Sequence, residues 1–197
     1  MPELNNVFKD EIDLIKDEGI RELVQDVLDR VLDERPEFFK TQASSSGRYH
    51  PSCCNVKGGI IRHVKRAVDI GFHISTAWGL SKSDRDIVIA ALILHDIRKD
   101  SYKHHASLGG KLVLEVFAGR DLAVQREDRA FSRIVIDIVR CIRHHMGIWT
   151  ENKIRVPVEN YSLKELATFT ADYLASRKNI ELPEDSFDLE SFEDLKK

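Results

Sequence analysis

An uninterrupted apolar octet, Ile87-Val-Ile-Ala-Ala-Leu-Ile-Leu94, runs directly into a histidine and an aspartate, and this junction constrains the chain more than any other feature. Eight apolar residues in a row call for burial, so His95 and Asp96 are carried to wherever the buried element ends. Val88, Leu92 and His95 fall at i, i+4 and i+7, so a helix points the imidazole the same way as the core residues. A buried imidazole costs little once it has a hydrogen-bond partner, whereas a buried carboxylate needs a compensating cation.

Other metal-capable side chains share this phase. Ile60, His63, Val64 and Ala67 place His63 on an inward stripe, and Ile134, Ile138, Cys141, Ile142 and His145 form another. His104-His105, His144 and Asp172 complete the series. Any single histidine is most simply a satisfied core or surface residue. The ordered set His, His-Asp, His, His-His, Asp on four helices points instead to a metal site, because imidazole and carboxylate suit Mn, Fe, Co, Ni and Zn. Cys53, Cys54 and Cys141 show no Cys-x-x-Cys spacing, which argues against a thiolate zinc cluster and a disulfide framework. Cys141, on an apolar stripe, is expected to be buried.

Apolar spacings of three and four dominate and strand signals are scarce, so the chain is expected to be all-α. The spacing predicts helices over about Val7–Lys16, Gly19–Asp33, Ile60–Trp78, His105–Phe117 and Glu127–His145. Ser81, with Asp84 three residues on, should start a helix reaching His95 or Ile97. Ser162-Leu-Lys-Glu165 should start another that runs to about Lys178. Thr41 to Pro51 has loop composition. The expected organisation is N-terminal helices and a loop over 1–57, a core over 58–178 and an acidic tail over 179–197.

The octet is far shorter than the roughly 18 apolar residues of a membrane helix, and the first residues do not resemble a secretory signal. A cytoplasmic protein without a membrane partner is therefore expected. A net charge of −3 gives no broad basic face for a long duplex, so a small or short substrate held by local cations is favoured. Homo-oligomerisation is left open.

These residues resemble the HD-domain metal-dependent phosphohydrolases, named for a His-Asp pair after an apolar helix, as in Ala90-Ala-Leu-Ile-Leu-His-Asp-Ile-Arg-Lys99. Gly58-Gly-Ile-Ile-Arg-His63 looks like the family's first-ligand element, and His105-Ala-Ser-Leu-Gly109 like the His-x-x-x-Gly element that follows the pair. His144-His145-Met-Gly resembles the paired histidines of binuclear branches, and Thr170-Ala-Asp172 the closing aspartate. The likeness covers about Gly58 to Arg177. Two departures stand out: Ile97-Arg98 replaces the usual glycine after the pair, and no Gly-Tyr-Pro element is present, which disfavours the cyclic-di-guanylate phosphodiesterases. The Gly-Gly start and His-His pair look more like the HD domains of bacterial exoribonucleases and nucleotide hydrolases.

The resemblance implies a single helical bundle of about six to eight helices. It implies one divalent transition metal on His63, His95, Asp96 and Asp172, with Asp96 bridging to a second on His105, His144 and His145. The ion would be Mn, Fe, Co, Ni or Zn. The implied reaction is hydrolysis of a phosphate ester of a nucleotide or short oligonucleotide by a metal-activated water oriented by Asp96 or Asp172. Lys99 would join the catalytic residues and hold phosphate oxygens, a role also open to Arg98 and Arg143. Trp149 would stack on a base, and His50 would fold over the site. Two alternatives use the same scaffold: a di-iron oxygenase, and a non-catalytic nucleotide-binding module.

Overall fold

A computed structural model describes residues 7–44, 48–120 and 129–180. Among these residues the protein is all-α, with seven helices and no strand: α1 (Lys9–Leu14), α2 (Glu18–Glu34), α3 (Gly59–Ala77), α4 (Lys82–Leu94), α5 (His105–Ala118), α6 (Arg129–His144) and α7 (Leu163–Ala175). No helix of the described residues is long and apolar enough to cross a membrane.

α4 is the axis of the bundle. Every residue from Asp86 to Leu94 is buried, and the helix packs on α1, α2, α3, α6 and α7. That environment explains the uninterrupted octet: a helix covered on all sides has no polar face. Each large aliphatic side chain buried there contributes roughly 1.5–3 kcal/mol. α3 crosses α4 closely at Gly71, where an added Cβ would lie 2.2 Å from Leu92 Cδ1.

Local signals fix the helix starts. The Ser81 side chain accepts a hydrogen bond from the Asp84 amide, and Ser162 with Glu165 forms a reciprocal capping box, as the spacing predicts. Asp17 caps α2, whose Ile20, Leu23, Val24, Val27, Leu28 and Val31 enter the core. Buried Asp86 accepts from the Lys16 and Asp17 amides at 3.0 and 2.9 Å and ties the α1–α2 junction to α4. α7 ends at Ala175, three residues short of expectation; past it the Arg177 amide donates to the Leu174 carbonyl in a tighter i to i−3 turn. One hydrophobic cluster runs from Phe8 to Ala175 and includes Cys141. Of the acidic tail, residues 181–197 lie outside the described residues, as do the first two residues of the helix expected from Glu127.

After His95, which keeps helical dihedrals at the end of α4, the chain makes successive tight turns: the Lys99 amide donates to the Asp96 carbonyl and that of Ser101 to Arg98. Ile97 is buried and its carbonyl accepts from Arg35 at 2.7 Å. The residue that replaces the usual glycine thus anchors the turn to α2. A 3-10 segment, Lys99–His104, then leads into α5.

Candidate metal centre

The end of α4 meets three neighbouring helices and the start of a fourth. His63 comes from the first turns of α3, His105 opens α5, His145 directly follows α6, and Asp172 lies in α7. Together they form two groups of three possible ligands, His63 with His95 and Asp172, and Asp96 with His105 and His145.

In the first group, His63 Nε2 is 3.1 Å from His95 Nε2 and 3.0 Å from Asp172 Oδ1, and His95 Nε2 is 3.4 Å from the same carboxylate oxygen. In the second, His105 Nε2 is 3.1 Å from His145 Nε2 and 3.2 Å from Asp96 Oδ1. Asp96 offers one oxygen to each group: Oδ2 lies 3.6 Å from His63 Nε2 and 3.5 Å from His95 Nε2, while Oδ1 faces His105 and, at 3.7 Å, His145.

The donor set fits divalent transition ions. His95 Nδ1 lies 2.6 Å from the Leu92 carbonyl, and His145 Nδ1 lies 2.6 Å from the Ile142 carbonyl. Each ring thereby donates its N–H to the backbone and turns the Nε2 lone pair inward, the usual support of a ligating histidine. Asp96 is buried, and its two oxygens, each paired with the Lys99 ammonium, also face the two sets of imidazoles. Lone pairs and carboxylate oxygens converging at these distances are satisfied by a cation, and a nitrogen and oxygen set suits Mn, Fe, Co, Ni or Zn.

The electrostatics point the same way. Burial opposes ionisation of Asp96, but Lys99, then His95 and a hydrogen bond from His105, hold its pKa well below the usual carboxylate range. Burial likewise opposes ionisation of Asp172, but the neighbouring His63 and His95 outweigh it and hold its pKa well below the usual range. Burial pushes His145 down to about 3, against the pull of Asp172, so the ring is neutral and able to ligate. Burial alone would depress Lys99, but Asp96 and Asp172 raise it, and its Nζ lies 2.9 and 3.0 Å from the two oxygens of Asp96.

His144 is in neither group: its Nδ1 lies 2.5 Å from Glu165 Oε1 and its ring stacks on Tyr161. It sits one helical step from His145, which points it away from the ligands toward the start of α7. Glu165 also receives Arg140, and hydrogen bonds from His144 and Ser162 outweigh burial to bring its pKa down to about 2. Sequence spacing identified Glu165 as a capping residue but carried no sign of His144, a partner 21 residues away.

A cleft of about 720 Å³ opens over the centre, with Asp172, His105 and His145 in its wall alongside Lys99, His50 and Trp149. Both ring nitrogens of His50 are buried without a hydrogen-bond partner among the described residues, and the ring packs edge-on against His63 at 5.0 Å. Burial, then His63 and Lys99, lower its pKa to about 3. Arg98 and Arg143 are not among the residues lining the cleft: Arg98 Nε lies 3.9 Å from Asp100, and Arg143 packs where α5 passes at Gly110. His104 pairs at the surface with Glu151. Lys103, Tyr49, Tyr173 and Arg177 also line the cleft. Tyr173 and Arg177, four residues apart on either side of the end of α7, were the available sequence signal for that wall.

The model of the HD domain matches residues 60–177, and the chain belongs to that family, whose members are generally metal-dependent phosphohydrolases. Comparison with curated proteins and with solved structures gives no match.

Proposed function

We propose that the protein is a metal-dependent phosphohydrolase that hydrolyses a phosphate ester of a nucleotide or short oligonucleotide. The observation that carries this reading is the pair of ligand groups joined by Asp96 beneath a cleft whose wall holds Lys99, Lys103 and Arg177. His63, His95 and Asp172 would hold one ion, and Asp96, His105 and His145 a second. When bound, such ions supply Lewis acidity to phosphoryl oxygens and ease deprotonation of the attacking water.

The chain's own groups prepare the site for that chemistry. Lys99 keeps Asp96 ionised and presents an ammonium to the cleft, where it can hold a phosphoryl oxygen. Neutral His50, whose ring nitrogens have no hydrogen-bond partner among the described residues, would hydrogen-bond the substrate. In the overall reaction the water oxygen forms the new P–O bond and the ester P–O bond breaks. One water proton ends on the leaving alcohol and the other in solvent. The cationic wall favours an anionic ester over the uncharged carbon substrates open to the oxygenase alternative.

The test is an assay of chelator-free protein loaded in turn with Mn, Co, Ni, Fe and Zn, reading phosphate or nucleoside release from mono- and dinucleotides. Turnover abolished by EDTA and lacking in Asp96→Ala is the expected result. Oxygen uptake by the iron-loaded protein, with no ester turnover in any metal, would contradict the proposal.

A further inference from the structure

The cleft has one wall built from flat groups. Trp149, more than half exposed, lies parallel to Tyr173 at 6.1 Å and 12° between planes. Arg177 Cζ sits 4.1 Å above the Tyr173 ring and 5.5 Å from that of Tyr49. These four residues form a continuous row of π-faces and guanidinium along the cleft. Such exposed faces bind nucleobases by stacking, with little preference among bases.

The row is held in place from both ends. Gly147 adopts φ +56, and a Cβ there would lie 2.4 Å from the Phe169 ring, so the turn bearing Trp149 can seat directly on α7. On the other side, the Lys178 amide donates to the Tyr49 carbonyl at 3.0 Å and binds the loop of Tyr49 and His50 to the end of α7.

A second cavity, about 430 Å³, adjoins the cleft. It shares Lys99, Lys103, His105 and Met146 with the cleft and is otherwise walled by Phe38, Thr41, Gln42, Ala43 and Asp100. His105 and Lys99, both in contact with buried Asp96, therefore stand where the two cavities meet. A terminal phosphate needs room on one side only. A phosphate with an ester arm on each side needs two such spaces.

On the phosphohydrolase reading, we propose that the substrate is a linear, single-stranded phosphodiester of at least two nucleotides. One nucleobase stacks on the Trp149–Tyr173–Arg177–Tyr49 wall, the scissile phosphate lies at Lys99 and His105, and the second nucleoside enters the Phe38–Ala43 cavity. Hydrolysis is then internal: water adds to phosphorus, one ester P–O bond breaks, and the products are a nucleotide and a nucleoside or shorter strand.

The test compares the Mn-loaded protein on the dinucleoside monophosphate ApA, on AMP and on bis(p-nitrophenyl) phosphate, which reports turnover without a nucleobase. ApA should exceed AMP in kcat/KM by about tenfold or more. Trp149→Ala should lower kcat/KM for ApA relative to bis(p-nitrophenyl) phosphate by about tenfold, mainly through KM, with Trp149→Phe restoring most of it. Gln42→Trp, which fills the second cavity, should depress ApA more than AMP. Equal or better use of AMP, with the ApA ratio unmoved in Trp149→Ala and Gln42→Trp, would overturn this inference and leave the phosphohydrolase reading standing. Turnover of none of the three compounds would overturn both.

Discussion

His63 and Asp172 lie within α3 and α7 and His95 caps α4, three helices each packed directly on the other two, whereas Asp96 and His145 lie in the turns past α4 and α6 and His105 opens α5. The first group is set by interhelical packing at positions such as the Gly71–Leu92 contact. The second is set by the 3-10 connection Lys99–His104 and by the last turn of α6, and through His105 it faces both cavities. Packed cores are rigid and chain turns less so, which gives the two halves different tasks. On the proposed function, the first half would retain an ion and the second would admit substrate. Asp96 is common to both, with one oxygen turned to each.

Three substitutions press on that comparison. Asp96→Ala removes the shared carboxylate and leaves Lys99 without its partner, so phosphoester turnover should fall by more than the roughly 10–100-fold that outer partners of ligands carry. An undiminished rate would break the account of a shared centre. His105→Ala should weaken only the accessible half. Graded chelation of the wild type should therefore release metal in two phases, with this variant keeping the slower phase and His95→Ala losing it. A single phase in all three proteins would erase the distinction between the halves.

The mildest change concerns His144. Because its ring is committed to Glu165 and Tyr161, His144→Ala should cost less than about tenfold in turnover, as expected of a group outside the ligand set. Its partner has a stability signature. Glu165 is held at about 2 against an ordinary 4.5, so its ionised form stabilises the fold above pH 4.5, and that contribution is lost as pH falls from 4.5 toward 2. Glu165→Gln should thus lose roughly 2–3 kcal/mol at neutral pH, with the gap to wild type closing in acid. Thermal unfolding across that range reads it, and a pH-independent gap would contradict the assignment.

The sequence made much of this legible because helical phase carries direction. The stripe through Ile138, Cys141 and Ile142 singles out His145 and leaves His144 off it, and the structure follows the stripe. The family likeness had grouped the two. Phase also explains Arg143, which lies in α6 two residues before His145, about 200° around the helix. Tertiary pairings were not legible. Nothing local links Tyr49 to Lys178, Glu165 to His144 or Trp149 to Tyr173, because these contacts exist only once α7 closes against the loop and α6. The caps at Ser81 and Ser162 needed no such closure and were readable in full.

The central claim is that two ions share Asp96, with His145 and not His144 completing the second group. Elemental analysis of chelator-free wild type, Asp96→Ala, His105→Ala and His144→Ala tests it most directly. The account predicts about two equivalents in the wild type and His144→Ala, one in His105→Ala and a loss from both positions in Asp96→Ala. One equivalent in the wild type, or an ion lost from His144→Ala but kept in His105→Ala, would contradict it.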